Sequence, residues 1–240
     1  MLAAQSSTIP AFIGRDIYSK NMPAVDLAIK RTLTSAQIIF TVVHCYREGR
    51  PFTDPDPNPN CSFTYNLLLT MGLVDEITQR PDPRHVSWME RILLIYADHE
   101  MSCATFVFLA MASTRADPLS CYLAGFTTLY GIIHGGALDA AYHMMKRIGS
   151  VENVPRLMAA VKRGEELLHG FGHRVYKNRD PRAQMLFDTA KEIQEQTGSA
   201  DPLLTVAEEI DRLASQDPYF QSRGVRINAD LYTNFACMAM

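Results

Sequence analysis

The 240-residue sequence has no long hydrophobic run. Its most apolar stretch, CATFVFLAMA at 103–112, is far shorter than the roughly 20 residues a membrane-spanning helix requires. The N-terminus lacks the charged and apolar blocks of a signal peptide, and Asp16 and Asp26 make it too acidic for a transit peptide. The expectation is an intracellular protein, cytoplasmic rather than mitochondrial. Charge of one sign is also missing: the net value of −3 provides no basic field for nucleic acid, so any anion must be met by a local cluster of cations. The five cysteines include no C-x-x-C pair and are odd in number, which fits reduced thiols rather than a disulfide framework. Internal repeats, low-complexity tracts and long alternating stretches are absent, and so are the nucleophile elbow, the phosphate loop and the dinucleotide fingerprint.

What is present is an ordinary globular composition, 47% hydrophobic and 20% charged, which excludes a disordered chain and is long enough for one large domain or two modest ones. Most segments have helical periodicity. TLTSAQIIFTVVHCYREG ends at Gly49, and RPFTDPDPNPN, with four prolines in eleven residues, must be an extended loop. SFTYNLLLTMG is helical, as is the long stretch from His85 to Thr114, with a break expected near Asp98 and His99. DPLSCYLAGFTTLYG has the composition of a buried helix, and GGALDAAYHMMKRIG runs to Gly149. VENVPRLMAAVKRGEELL and DPLLTVAEEIDRLASQ are amphipathic. Asp180-Pro181 is an N-cap followed by proline at the first helical position, opening a helix that stops at Gly198. GVRINADLYT is at most a short strand or extended turn. The class is mainly α.

The stretch HGFGHRVYKNRDPRA concentrates chemistry at one chain corner. Arg182 falls in a first helical turn, where the macrodipole disfavours a cation by up to about 1 kcal/mol. Either Asp180 neutralises it, or arginine, glycine-rich turn and helix start together face an anion. His169 and His173 have an i,i+4 spacing that suits zinc, but Gly170 and Gly172 oppose a helix and no third ligand stands nearby, so no metal is expected. His99, in YADHEMSCATF, reads as a core histidine unless a ligand faces it. His134, in GIIHGGALDAA, stands at a helix N-terminus whose field favours the neutral ring; such an imidazole can donate to a carbonyl becoming an enolate, or can simply cap the helix. Gly135 and Gly136 would let a ligand approach the backbone. Asp230 sits among short apolar residues and by itself reads as a turn residue.

Taken together and in order, these segments closely resemble the citrate synthase family. NPNCSFTYNLLLTMG is similar to the family's loop and helix before its active site, and YADHEMSCATF to its A-D-H-E segment. GIIHGGALDAA resembles G-P-x-H-G-G-A-N-x-A, HGFGHRVYKNRDPRA matches G-F-G-H-R-V-Y-K-x-x-D-P-R-A almost letter for letter, and INADLYT resembles N-V-D-F-Y-S. The resemblance spans about residues 58–234. It implies an all-α fold divided into a partial large helical domain (1–135), a small helical domain (136–232) and a truncated return to the large domain (233–240). It also implies condensation of an acyl-CoA with oxaloacetate followed by thioester hydrolysis, giving citrate, methylcitrate or another alkylcitrate, in primary or secondary metabolism. On that reading Asp230 removes the α-proton, His134 stabilises the enol, and His173 protonates the new alkoxide. His99 and Arg182 would bind the carboxylates of oxaloacetate. His169, Gly170, Phe171 and Gly172 would lie against the CoA adenine, with Arg174 and Lys177 at its phosphates. Acyl-CoA enters as co-substrate, without a metal or tightly bound cofactor, and the implied assembly is a homodimer that binds neither nucleic acid nor membrane.

The pattern departs from the family at Ile133, Asp139, Ala229 and Asn234. Relative to the family the chain is shortened at both ends, without the later helices that bring further arginines to the substrate. A second reading is therefore a catalytically inactive homologue that only binds CoA or a dicarboxylate.

Overall fold

The computed structural model describes residues 21–97, 100–173 and 175–238. These are helical almost throughout: α1 Met22–Glu48, α2 Phe63–Met71, α3 Pro83–Ile95, α4 Cys103–Ala112, α5 Pro118–Thr127, α6 Gly136–Ile148, α7 Val154–Lys162, α8 Pro181–Thr197, α9 Leu203–Gln216, α10 Pro218–Ser222 and α11 Asp230–Met238. Among the described residues there is no sheet, and one antiparallel bridge joins Phe171 to Ile227. The fold is all-α. No helix among these residues is long and apolar enough to cross a membrane.

Local chemistry sets the boundaries. Gly49, Gly72 and Gly198 end α1, α2 and α8 in the left-handed conformation that glycine adopts without steric cost. Ser62, Ser102, Asp117 and Asp180 start α2, α4, α5 and α8 by accepting a backbone N–H with the side chain. The proline-rich segment stays out of helix as expected, held by Asn66 Oδ1, which accepts from Asp56 N–H (2.8 Å). Two segments differ from the sequence reading. α1 begins at Met22, ten residues before the expected start, because Pro23 is tolerated in a first turn and Asn21 accepts from Ala24 N–H (3.3 Å). The expected extended turn at 224–233 covers only its first half, since α11 starts at Asp230. The break expected in the 85–114 stretch lies between Ile95 and Cys103; Asp98 and His99 lie outside the described residues.

The chain forms two compact units, one from residues up to 90 together with 101–128, the other from 91–100 and 129 onward. In the first unit, α1 meets α2 through a contact between the Thr41 and Thr70 hydroxyls (3.3 Å) and through Cys45 Sγ, which donates to the Thr70 carbonyl (3.4 Å). α4 and α5 approach so closely that a Cβ at Gly125 would stand 2.9 Å from the Ala104 carbonyl oxygen. The second unit has a continuous core: Met144, Met145, Val154, Leu186, Ile193, Ile210, Phe220, Leu231 and Phe235 are all buried. The last turn of α3 joins it through buried Ile92 and Ile95 and through Arg91, which donates to Glu192 at 2.6 Å.

Candidate active site

Two of the proposed catalytic residues, His173 and Asp230, are positioned by pairing of two distant segments. Gly172 N–H donates to the Arg226 carbonyl (2.6 Å), and Asn228 N–H donates to the Gly170 carbonyl (2.9 Å). The side chain of Asn228 completes the join. Its Nδ2 donates to the Gly172 carbonyl (2.7 Å), while its Oδ1 accepts from Asp230 N–H (2.9 Å) and so starts α11. The turn needs its glycines: Gly170 has φ +81°, and a Cβ there would lie 3.0 Å from Cβ of Leu231, the residue after Asp230.

The imidazole of His173 has a defined protonation pattern. Its Nδ1 accepts from Val175 N–H (3.1 Å) and Tyr176 N–H (3.3 Å). A nitrogen that accepts cannot also carry the proton, so the neutral ring is protonated at Nε2, which is then a donor. The Tyr176 ring lies beside it, with centroids 4.8 Å apart.

Arg182 is buried (7% exposed) and forms the ion pair that was one of its two sequence readings. Its Nε and Nη2 donate to Asp180 at 3.1 and 2.7 Å, leaving Nη1, which makes no hydrogen bond to a described residue. The guanidinium carbon lies 5.5 Å from the ring centroids of both Tyr96 and Tyr176, a cation–π arrangement. Asp180 is fully buried, caps α8 by accepting from Arg182 N–H (2.9 Å), and accepts from Ala229 N–H (3.2 Å). Burial pushes its carboxyl up, but the Arg182 hydrogen bonds and charge outweigh this and hold it below the usual carboxylate range. The Tyr96 hydroxyl bonds that of Thr233 on α11, and burial pushes the phenol up to about 12. Asp180, Asn228, Tyr96 and Tyr176 thus surround the proposed residues; the sequence points to Asp180 as a cap and as a partner of Arg182, and to the other three not at all. Asp180 and Asn228 each lie two residues before a proposed functional residue, in D-P-R and N-A-D.

His134 is half-buried and stands two residues before α6. The N-cap position of α6 is Gly135, one residue after His134. The glycines after His134 also have a local reason. A Cβ at Gly135 would lie 2.7 Å from the Leu129 carbonyl oxygen, and one at Gly136 would lie 3.1 Å from that of Gly131. The turn therefore folds onto its own backbone. α6 and α11 are joined by Asn234, whose Nδ2 donates to the Leu138 carbonyl (3.0 Å). Asn234, a departure from the family pattern, is an ordinary helical residue that gains this bond.

His169 and Phe171 are half-buried, Gly170 is buried, Gly172 is intermediate and Lys177 is exposed. His99 and Arg174 lie outside the described residues. Among the described residues no three His, Cys, Asp or Glu side chains gather closely enough to hold a metal ion. The five cysteines form no disulfide, and Cys45 and Cys121 are buried.

The family model for the citrate synthase C-terminal domain matches residues 2–240. The citrate synthase-like protein oryE of Aspergillus oryzae is 42% identical over 99% of this chain and 53% of its own length. The alkylcitrate synthase phiJ of a fungal species is 37% identical over 99% of this chain and 51% of its own. The crystal structure of citrate synthase from Pyrobaculum aerophilum superposes with a TM-score of 0.82 at 26% identity, covering 99% of this chain and 60% of that one. The chain spans about half the length of the curated relatives it matches. With a matching family model over nearly all its residues and the same all-α architecture, this chain belongs to the citrate synthase family.

Proposed function

We propose that this chain carries the catalytic residues of an acyl-CoA:oxaloacetate condensing enzyme that makes citrate or an alkylcitrate. The observation that carries the reading is the hydrogen-bonded union of the His173 turn with the first turn of α11, across 56 positions of sequence. It gives a general acid and a general base one rigid support.

The α-C–H of a thioester is too weak an acid for an unaided carboxylate, so the enolate must be stabilised as it forms. Asp230 takes the α-proton while a neutral His134 donates to the thioester oxygen. The enol carbon forms a bond to the ketone carbon of oxaloacetate. The ketone π pair moves to oxygen, which takes the proton from His173 Nε2. Water then cleaves the thioester and releases the CoA thiol. Arg182 Nη1, with His99, binds a carboxylate of oxaloacetate. His169 through Gly172 lie against the adenine, and Arg174 and Lys177 meet the phosphates. No metal enters this scheme. Phe106 and Leu109 on α4 and Phe126 on α5 are exposed apolar residues that support a homodimer. The similarity to an alkylcitrate synthase supports an acyl chain longer than acetyl.

The test is a thiol-release assay with oxaloacetate and acetyl-, propionyl- and longer acyl-CoAs. Oxaloacetate-dependent release is expected, with its maximum above acetyl. Binding of CoA or oxaloacetate by calorimetry without any release would leave the second reading, an inactive binding homologue.

A further inference from the structure

We propose that Asn228 is a positioning residue that holds the proposed acid, His173, and the proposed base, Asp230, at a fixed spacing. The inference rests on the condensation reading above but on different atoms.

The join must satisfy two unlike backbone groups at once: Gly172 presents a carbonyl and Asp230 presents an N–H. Asn228 meets both from one planar amide, donating at 2.7 Å and accepting at 2.9 Å. Aspartate at this position offers only acceptors when ionised, and serine is too short to span both partners. Asn228 as a whole is 7% exposed, so water competes poorly for either group.

The rest of the segment is anchored independently. Asp180 N–H donates to the Ile227 carbonyl (3.1 Å), Asp180 Oδ2 accepts from Ala229 N–H (3.2 Å), and Asn228's own N–H holds Gly170. Those bonds survive loss of the side chain, so Asn228→Ala loosens the spacing without releasing α11 from α8. Misplacement of reacting groups by about 1 Å costs on the order of 10²-fold in rate.

The experiment compares Asn228→Ala and Asn228→Asp with the parent 240-residue chain. It reads thiol release across pH, the thermal midpoint, ¹⁵N shifts of the His173 ring, and hydrogen exchange of the Asp230 amide. Asn228→Ala is expected to lower kcat about 10²-fold while KM for either substrate changes less than about threefold. Asn228→Asp is expected to move the acid limb of the profile to higher pH, since a second carboxylate beside Asp230 disfavours ionisation of the base. A fall in thermal midpoint with kcat per folded molecule within about twofold of the parent would overturn the proposal and leave Asn228 a structural residue. If the parent shows no turnover, the condensation reading falls by itself and the coupling is still decided by NMR. Displaced His173 shifts together with a deprotected Asp230 amide in Asn228→Ala would support it, and unchanged His173 shifts would overturn it.

Discussion

α4 and α11 are close in length, ten and nine residues, but differ in what covers them. α4, CATFVFLAMA, has apolar or small residues on every face, yet none of them is buried; Phe106 is 61% exposed. α11, DLYTNFACM, is more polar and buries five of its nine residues. Composition sets how much an element gains from burial, whereas its neighbours decide whether that gain is realised. α11 has α6, α8 and α9 around it, and its polar residues are matched: Thr233 with Tyr96, Asn234 with the Leu138 carbonyl. It is therefore the helix on which a catalytic carboxylate can be held rigidly.

The largest expected effect tests the buried half of this contrast. Phe235→Ala, deep in α11, should cost about 3–5 kcal/mol in urea denaturation, as a buried aromatic replaced by a cavity does.

Asp180→Ala comes next. It strands a buried guanidinium and should cost about 3–5 kcal/mol at neutral pH. The Asp180 carboxyl is held below its unfolded value, so its stabilisation is complete above the unfolded value of about 4 and is lost as pH falls through the lower folded value. The gap between parent and variant should accordingly narrow below about pH 4, and a gap constant down to pH 2 would refute the ion pair.

Gly170→Ala should cost about 1–3 kcal/mol, because alanine is strained at φ +81° and its methyl meets Leu231. Circular dichroism melts would measure it, and thiol release should fall as the start of α11 is displaced.

Phe106→Ala should lie within about 0.5 kcal/mol of the parent in dilute solution. A destabilisation that grows with protein concentration would sharpen the comparison by showing that α4 is covered in a homodimer.

Many helix boundaries were legible in the sequence, but the contrast between α4 and α11 was not. Gly49, Gly72, Gly149 and Gly198 mark helix ends by a backbone preference that acts locally, and Asp180-Pro181 marks a start in the same way. α11 was not legible as a helix. Its N-terminus is created by Asn228, and Asn228 is fixed by Gly170 and Gly172, more than 50 residues earlier. Leu231 and Phe235 do lie at helical spacing, but nine residues give too short a window for the period to stand out. The site divides along the same line. The imidazoles were visible because His134, His169 and His173 stand beside glycines, whereas Asp230 reads as a turn residue until the family resemblance singles it out. The tyrosine pair around Arg182 was not visible, since cation–π contacts have no fixed sequence spacing: Tyr176 is close to Arg182 along the chain and Tyr96 far from it. At residue 182 the local reading is realised: the acid two positions before it takes two of its nitrogens and leaves Nη1.

Asp230, at the head of the enclosed helix, is the proposed base that starts carbon–carbon bond formation. The direct measurement is oxaloacetate-dependent thiol release by Asp230→Asn beside the parent chain, at equal folded fraction. A loss of about 10²–10⁴-fold is expected, with the thermal midpoint nearly unchanged. Release by Asp230→Asn at the parental rate would contradict it.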